Sequence, residues 1–252
     1  MSNPSQREQK AASVPRLPGI SYRTLLDLIH QARSPQLYFE IGIGTGASLA
    51  YSRCSSIAVD PDFRLRADVI SNKPECHLYR QTSDDFFRLS ESRVLFPRPI
   101  DLAFLDGLHW FEVLLRDFIN TERFCAPDGL ILLHDCLPYS VEIAERIHQP
   151  EQRSDQLRRM HWAGDVWKLI PILSTYRPDL RMVSFDCPPT GLVTLQGLNP
   201  RSTILRDAYD DIVRTFQELE LAEFTIERLF EISNVRPSRG IKTPAMVAER
   251  LG

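Results

Sequence analysis

Short apolar runs alternate with amphipathic segments through the first half of the chain. The apolar runs predict five strands, at residues 37–41, 56–59, 76–80, 100–105 and 130–133. Ser21 is a suitable cap for a helix that ends before Pro35, and residues 111–124 carry a second helical stripe. Alternation of this kind is typical of a parallel sheet that is covered by helices on both faces.

The second half of the chain has a different pattern. Residues 137–165 are polar and irregular, and we predict that they form a lid or insertion. Asp165 is a suitable cap for a helix over 166–176 that is kinked at Pro171, and residues 204–219 predict one long amphipathic helix. Residues 181–185 and 192–195 predict two hairpin strands that close the sheet with an antiparallel strand.

These patterns predict one α/β domain over residues 19–233, with a seven-stranded, mostly parallel sheet. Residues 1–18 are polar with scattered proline and predict a flexible leader. Residues 234–252 show little periodicity, so we expect a C-terminal tail that is loose or bound to a partner. The amphipathic helix before the tail permits a homodimer without requiring one.

Polar residues follow each of the five predicted strands. Because the carboxyl ends of parallel strands lie at one edge of a sheet, we expect these residues to surround one ligand site. The clusters are Glu40 to Gly46, Asp60, Ser83 to Asp85, Asp106 to His109, and His134 with Asp135.

The first cluster contains three glycines at alternate positions, Gly42, Gly44 and Gly46. Glycine allows a sharp turn and lets a ligand approach the backbone, and a helix near residues 47–52 would direct its amides at that ligand. The spacing from Gly42 to Ala47, with Asp60 further on, satisfies a loose dinucleotide fingerprint. Glu40, however, suits the ammonium group of a cofactor better than a pyrophosphate.

This segment, Glu40-Ile-Gly-Ile-Gly-Thr-Gly46, resembles the first motif of the class I S-adenosylmethionine-dependent methyltransferases. The resemblance extends over about residues 37–195, and it implies a Rossmann-like fold with S-adenosyl-L-methionine as the cofactor. It also implies that Asp60 binds the ribose and that Ser83 and Asp84 contact the adenine, although these last two equally suit a helix cap. Two alternatives stay open, a NAD(P)-dependent oxidoreductase and a non-enzymatic Rossmann-like binding module.

Four further residues carry candidate chemistry: Asp106, His109, His134 and Asp135. Two carboxylates suit Mg²⁺, which would lower the pKa of a substrate hydroxyl, and His109 would then accept the proton. The pattern resembles the metal-dependent small-molecule O-methyltransferases, including those acting on sugars and other secondary metabolites, with Asp106, His134 and Asp135 at the metal. His134 departs from that pattern because imidazole prefers softer metals. Without a metal, His109 or His134 would act alone as the base.

Composition narrows the classes of partner. The net charge of −3 gives no sign of a nucleic-acid or anionic-membrane surface, and no apolar run reaches the ~18 residues of a membrane span. The five cysteines are widely spaced, which favours reduced thiols in a cytoplasm. We therefore expect a cytoplasmic enzyme with a small-molecule acceptor.

Overall fold

The computed structural model describes residues 17–89 and 96–251. Most of the predicted leader, residues 1–16, lies outside the described residues. The described strands are β1 (Leu37–Ile41), β2 (Ser55–Val59), β3 (Cys76–Tyr79), β4 (Ile100–Leu105), β5 (Cys125–His134), β6 (Arg181–Phe185), β7 (Leu192–Gln196) and β8 (Val235–Arg236). The α-helices are α1 (Tyr22–Arg33), α2 (Ser83–Leu89), α3 (Phe111–Glu122), α4 (Gln156–Met160), α5 (Leu169–Tyr176), α6 (Ile204–Asp207), α7 (Tyr209–Phe216), α8 (Leu221–Phe224), α9 (Ile226–Ile232) and α10 (Pro244–Leu251).

The strands form one sheet in the order β3-β2-β1-β4-β5-β7-β6-β8. Strands β1 to β5 pair in parallel, and β7 lies antiparallel between β5 and β6. The predicted α/β class, with its parallel sheet and antiparallel closing strand, is confirmed. The strand count was wrong, because the described sheet has eight strands and β8 comes from the predicted tail.

Apolar side chains fill both faces of the sheet because each central strand is buried on both sides. One cluster packs β-strand residues such as Phe39 and Leu105 against α3 and α5, and another packs Tyr38 and Phe104 against α1. Helix α1 begins as predicted, with the Thr24 amide donating to Ser21 Oγ over 3.1 Å. These layers leave the carboxyl ends of β1, β2, β4 and β5 open for a site.

The turn after β1 differs from the prediction. Residues 47–52 do not form an α-helix; a short 3₁₀ helix at Leu49–Tyr51 follows the glycines. A 3₁₀ turn of this length aligns few peptide dipoles, so the expected helix N-terminus is not what receives a ligand here.

Two predicted helices after β5 also differ. The expected helix over 166–176 is a 3₁₀ turn followed by α5, and Pro171 lies in the first turn of α5, where its missing amide breaks no helical hydrogen bond. The expected long helix is interrupted at Ala208, between α6 and α7.

The predicted loose tail has regular structure. Strand β8 extends the sheet beside β6, and the buried Ser238 donates to Asp186 Oδ1 over 2.7 Å. Helix α10 then packs on α1, with Val247 and Leu251 buried. The chain after residue 233 is therefore part of the folded domain, because its apolar positions complete the α1 face of the core.

Candidate active site

A cavity of about 710 Å³ opens at the carboxyl edge of the sheet. Most of the predicted site residues line it: Gly42, Gly44, Asp60, Ser83, Asp84, Asp106, His109, His134 and Asp135. Glu40 and Gly46 do not. The expectation that the strand ends converge on one site is therefore correct, with two residues displaced from it.

The three glycines have three different environments. A Cβ on Gly42 would lie 1.8 Å from the Asp106 carbonyl oxygen, so this glycine permits the close approach of the β1 and β4 loops. Gly46 packs instead against the side chain of Val69. At Gly44 φ is +49° and no atom lies within 4 Å of an ideal Cβ, so a ligand can reach the backbone there.

Glu40 is fully buried and is not among the residues that line the cavity. Its carboxylate accepts hydrogen bonds from Tyr38 Oη at 2.7 Å and Ser48 Oγ at 2.5 Å. Burial raises the pKa of Glu40 to about 8, against the opposing effect of these hydrogen bonds. Ser48 does line the cavity, so Glu40 orients a hydroxyl at the site.

Asp60 and Asp84 both carry protein hydrogen bonds. The Gly44 amide donates to Asp60 Oδ2 over 2.8 Å, so Asp60 fastens the glycine turn as well as lining the cavity. Asp84 accepts a two-point contact from Arg116, at 2.9 and 2.7 Å. The side chain of Asp84 is thus held by α3, and Ser83 beside it is buried at the cavity wall.

The predicted catalytic and metal residues form one cluster. His134 Nδ1 lies 3.2 Å from Asp106 Oδ1 and 3.1 Å from Asp135 Oδ2. His109 Nε2 lies 3.1 Å from Asp135 Oδ2 and 3.6 Å from Asp106 Oδ1. Two imidazoles therefore share two carboxylates at the ends of β4 and β5.

Charge and burial shift the pKa of three of these groups. Burial alone would raise the pKa of Asp106, but the neighbouring His134 and His109 hold it below its usual range. Burial alone would lower the pKa of both histidines, but the two carboxylates raise that of His109 to about 8 and that of His134 well above its ordinary value. The cluster retains protons that a bound cation would have to displace.

The predicted insertion sets the orientation of His109. Its Nδ1 lies 2.7 Å from the Trp162 carbonyl oxygen, and a carbonyl can only accept. Nδ1 therefore carries the proton, and in the neutral ring Nε2 faces the cavity with a free lone pair. Asp165 was expected to cap the helix that follows it, and its side chain does not do so. Instead, Asp165 Oδ1 accepts a hydrogen bond from the Phe111 amide at 2.9 Å and caps α3.

His134 is held differently. The Tyr22 ring lies over the His134 ring at 4.1 Å between centroids. The Nε2 atom of His134 is buried and has no hydrogen-bond partner. Only Nδ1 faces the carboxylates. His134 thus has one nitrogen available to the site, which fits a ligand or an ion-pair partner better than a base that exchanges protons with a substrate.

Asp135 has a strained backbone, with φ at 58°. Left-handed geometry in a non-glycine residue is often found at functional sites, where surrounding contacts hold it. Here Thr190 Oγ1 donates to Asp135 Oδ1, and Oδ2 is left for the histidines. Together with Asp106 and His134, Asp135 offers three ligand atoms within 4.8 Å of one another.

Several cavity residues escaped the sequence-based prediction. Tyr22, Arg23, Ser48 and Arg116 line the cavity, but they lie on helices and turns outside the strand-end clusters. Thr190 follows a turn between β6 and β7 and reaches the site only through the tertiary fold. One signal was available in the sequence. Tyr22 and Arg23 directly follow the Ser21 cap, so they lie at the start of a helix next to the sheet.

Comparisons with known proteins bear on the fold and on the type of domain. Residues 19–136 match a family model described as a methyltransferase domain. No curated protein sequence matches the chain. Among solved structures, an S-adenosylhomocysteine-bound methyltransferase from Podospora anserina, PaMTH1, is similar over 69% of this chain and 77% of its own, with 12% identity and a TM-score of 0.50.

Two other solved structures are similar at lower scores. The O-methyltransferase TomG from Streptomyces achromogenes has 15% identity and a TM-score of 0.49, over 71% of this chain and 80% of its own. An O-methyltransferase from Bacillus cereus has 15% identity and a TM-score of 0.47, over 74% of this chain and 86% of its own. At these identities, structural similarity bears on the fold alone.

Proposed function

We propose that the chain is a class I S-adenosylmethionine-dependent methyltransferase and that it methylates a hydroxyl group of a small molecule such as a sugar or another secondary metabolite. One observation carries the proposal. His109, Asp106 and Asp135 lie in the same cavity as the glycine turn, so a proton acceptor lies where a methyl donor would bind. The NAD(P)-dependent alternative has only the loose glycine fingerprint in its favour, whereas the match of residues 19–136 to a methyltransferase-domain model supports methyl transfer.

The methyl donor would lie along the glycine turn. Gly44 leaves room for it, Asp60 lies where its ribose is expected, and Ser83 and Asp84 mark the adenine end. When bound, S-adenosyl-L-methionine supplies an electrophilic methyl group on a positively charged sulfur. The chain supplies position and electrostatics, because in-line attack needs the acceptor oxygen held near that methyl group.

We propose that Asp106, His134 and Asp135 hold a divalent cation. Two carboxylate oxygens and one imidazole nitrogen are suitable ligands for such an ion, and the three atoms lie within 4.8 Å of one another, close enough to bind one ion. Oxygen ligands suit Mg²⁺ or Mn²⁺, whereas the imidazole favours a softer first-row metal such as Zn²⁺. When bound, the cation would lower the pKa of an acceptor hydroxyl.

His109 is the proposed general base. Its Nδ1 proton is committed to the Trp162 carbonyl, so Nε2 can take the proton of the acceptor hydroxyl as the C–O bond forms. Asp135 and Asp106 stabilise the resulting imidazolium, which explains why they raise the pKa of His109 to about 8. If no cation binds, the same geometry leaves His109 as the base, since His134 Nε2 is enclosed.

We propose that the catalytic domain predicted over residues 19–233 is completed by β8 and α10, with residues 137–165 as the insertion that contacts His109. No helix within residues 17–89 and 96–251 is long and apolar enough to cross a membrane. We propose a cytoplasmic enzyme acting on a small-molecule acceptor, with a homodimer permitted by the C-terminal helices.

Calorimetry on the S-adenosylhomocysteine-loaded protein tests the metal site. Mn²⁺ or Mg²⁺ should bind with one site per chain, and Asp135→Asn should weaken that binding at least tenfold. Asp62→Asn is the matched control, because Asp62 is an exposed carboxylate paired with Arg64. Equal metal affinity in Asp135→Asn and the parent protein would exclude the proposed metal site.

Turnover is then tested with hydroxylated acceptors, by mass spectrometry of the methylated product. His109→Gln should lower the rate about 10²- to 10⁴-fold while leaving S-adenosylhomocysteine affinity unchanged. Methylation at parent rates by His109→Gln would show that another group removes the proton.

A further inference from the structure

Arg23, in the first turn of α1, lines the same cavity as the glycine turn. We propose that its guanidinium binds the carboxylate of the amino-acid end of the methyl donor. This inference rests on the identity of the donor and not on the choice of acceptor. It adds a residue that the motif resemblance does not include.

The free side of the guanidinium is the first observation. Arg23 Nε donates to Tyr22 Oη over 3.2 Å, and no described carboxylate forms an ion pair with this arginine. Its Nη1 and Nη2 edge is therefore available for a two-point contact. A planar fork of this kind matches a carboxylate better than a lysine ammonium does.

The place of Arg23 in the cavity is the second observation. The Tyr22 ring, whose hydroxyl accepts from Arg23 Nε, lies 4.1 Å from the His134 ring between centroids, and α1 also contacts the 3₁₀ turn at Leu49–Tyr51. Helix α1 thus lies beside both the end of β5 and the turn that follows the glycines. Asp84 lies in the first turn of α2, which follows the edge strand β3, whereas His134 ends β5 on the far side of β2, β1 and β4, so Asp84 and Arg23 mark opposite sides of the cavity.

The covalent order of the donor connects these two ends. The adenine precedes the ribose, the ribose precedes the sulfur, and the amino-acid group comes last. With the ribose at Asp60 and the sulfur facing Asp106 and His109, the amino-acid end extends towards Arg23 and Ser48. Ser48, oriented by Glu40, is a hydroxyl partner for the amino group, and Arg23 is the nearby cation for the carboxylate.

Electrostatics favours the same assignment. The cavity already contains the carboxylates of Asp60, Asp106 and Asp135, which would repel a free carboxylate. An unpaired cation at one end offsets that repulsion locally. Two charged hydrogen bonds are strong enough to affect affinity measurably even when one partner is exposed.

Two ligands separate the carboxylate from the rest of the donor. S-Adenosylhomocysteine carries the amine and the carboxylate, whereas its decarboxylated analogue, S-adenosyl-3-thiopropylamine, keeps only the amine. In calorimetric titrations, Arg23→Met should weaken S-adenosylhomocysteine binding about 10- to 100-fold. The affinity for the decarboxylated analogue should change less than about twofold, and Arg23→Lys should be intermediate for S-adenosylhomocysteine.

Arg214→Met is the matched control, since Arg214 is exposed, pairs with Asp211 and lies outside the cavity. It should bind both ligands like the parent protein. Equal weakening of both ligands by Arg23→Met would overturn the proposal, because Arg23 would then act on the nucleoside or on the fold. Unchanged binding of both would also overturn it and would assign the cation to an anionic acceptor.

Discussion

Gly44 and Gly197 provide a matched pair of substitutions that tests whether the glycine turn receives the cofactor. Both residues adopt the left-handed region, with φ at +49° and +74°. Gly44 lies in the cavity wall, whereas Gly197 is a surface turn after β7. Alanine at either position imposes the same kind of backbone strain, but only one of them adds a methyl group where the ligand would lie.

The expected magnitudes follow from the geometry. A left-handed alanine costs about 1–2 kcal/mol. At Gly44 a Cβ meets no atom within 4 Å, and at Gly197 the nearest is the Asp179 carbonyl oxygen at 3.3 Å. Both variants should therefore lose about 1–2 kcal/mol of unfolding free energy, which lowers the melting temperature by roughly 2–8 °C. Only Gly44→Ala should lose S-adenosylhomocysteine affinity, by at least about tenfold, because a Cβ there occupies ligand space.

Urea unfolding and calorimetric titration measure these two quantities separately. Gly42→Ala gives a third, different outcome: its Cβ would lie 1.8 Å from the Asp106 carbonyl oxygen, so the variant should fold poorly or not at all. If Gly44→Ala bound S-adenosylhomocysteine as tightly as Gly197→Ala does, the cofactor would not approach the backbone at this turn. The assignment of the cavity would then be wrong.

Three further predictions concern charge. His30 is buried on α1, and burial is the chief reason that its pKa is lowered to about 3. Below pH about 6.5 the unfolded chain therefore binds more protons than the folded chain, so stability is full above that pH and falls by up to about 5 kcal/mol towards pH 3. His30→Phe should reduce this loss in urea titrations at several pH values. Arg177 and Glu122 form a buried ion pair at 2.7 Å, so Arg177→Met should lower the free energy of unfolding by about 3–5 kcal/mol because it leaves a buried carboxylate unpaired. A loss below about 1 kcal/mol would show that Glu122 finds another partner or is protonated. The carboxylates hold the pKa of His134 well above its usual value, so a bound cation must displace a proton from this imidazole. Mn²⁺ affinity should therefore rise with pH from about 6 to 8, and calorimetry should detect proton release on binding. An affinity that does not depend on pH would argue against ligation by the imidazole.

Local pattern was enough to predict the strands of the parallel half of the sheet. Residues 37–41 and 100–105 are continuous apolar runs, and such runs form strands only where both faces are covered. The same logic placed Asp60, Asp106 and Asp135 at one edge, because parallel strands end together. The glycine spacing indicated a nucleotide-like ligand, since Gly42 and Gly44 need conformations that other residues avoid, and the resemblance of residues 40–46 to a known motif implied S-adenosyl-L-methionine.

Only the tertiary structure determined which of these side chains face the cavity and which support another side chain. Glu40 has the right spacing to contact a cofactor, but burial beneath Ser48 makes it a support for another side chain. The orientation of His109 depends on the Trp162 carbonyl, which is 53 residues away in sequence and carries no side-chain signal. A backbone acceptor in an irregular insertion cannot be identified from residue type.

The same limit applies to the ends of the chain. Weak periodicity after residue 233 suggested a loose tail, yet β8 needs only two residues to pair with β6, and α10 is ordered by the apolar face of α1. Arg23 likewise has no motif, and its place in the cavity follows from the docking of α1 across the sheet. Sequence determined the strands, their polar ends and the glycine turn because these depend on neighbouring residues. Long-range packing decided which side chains face the ligand, because burial and orientation are properties of the assembled fold.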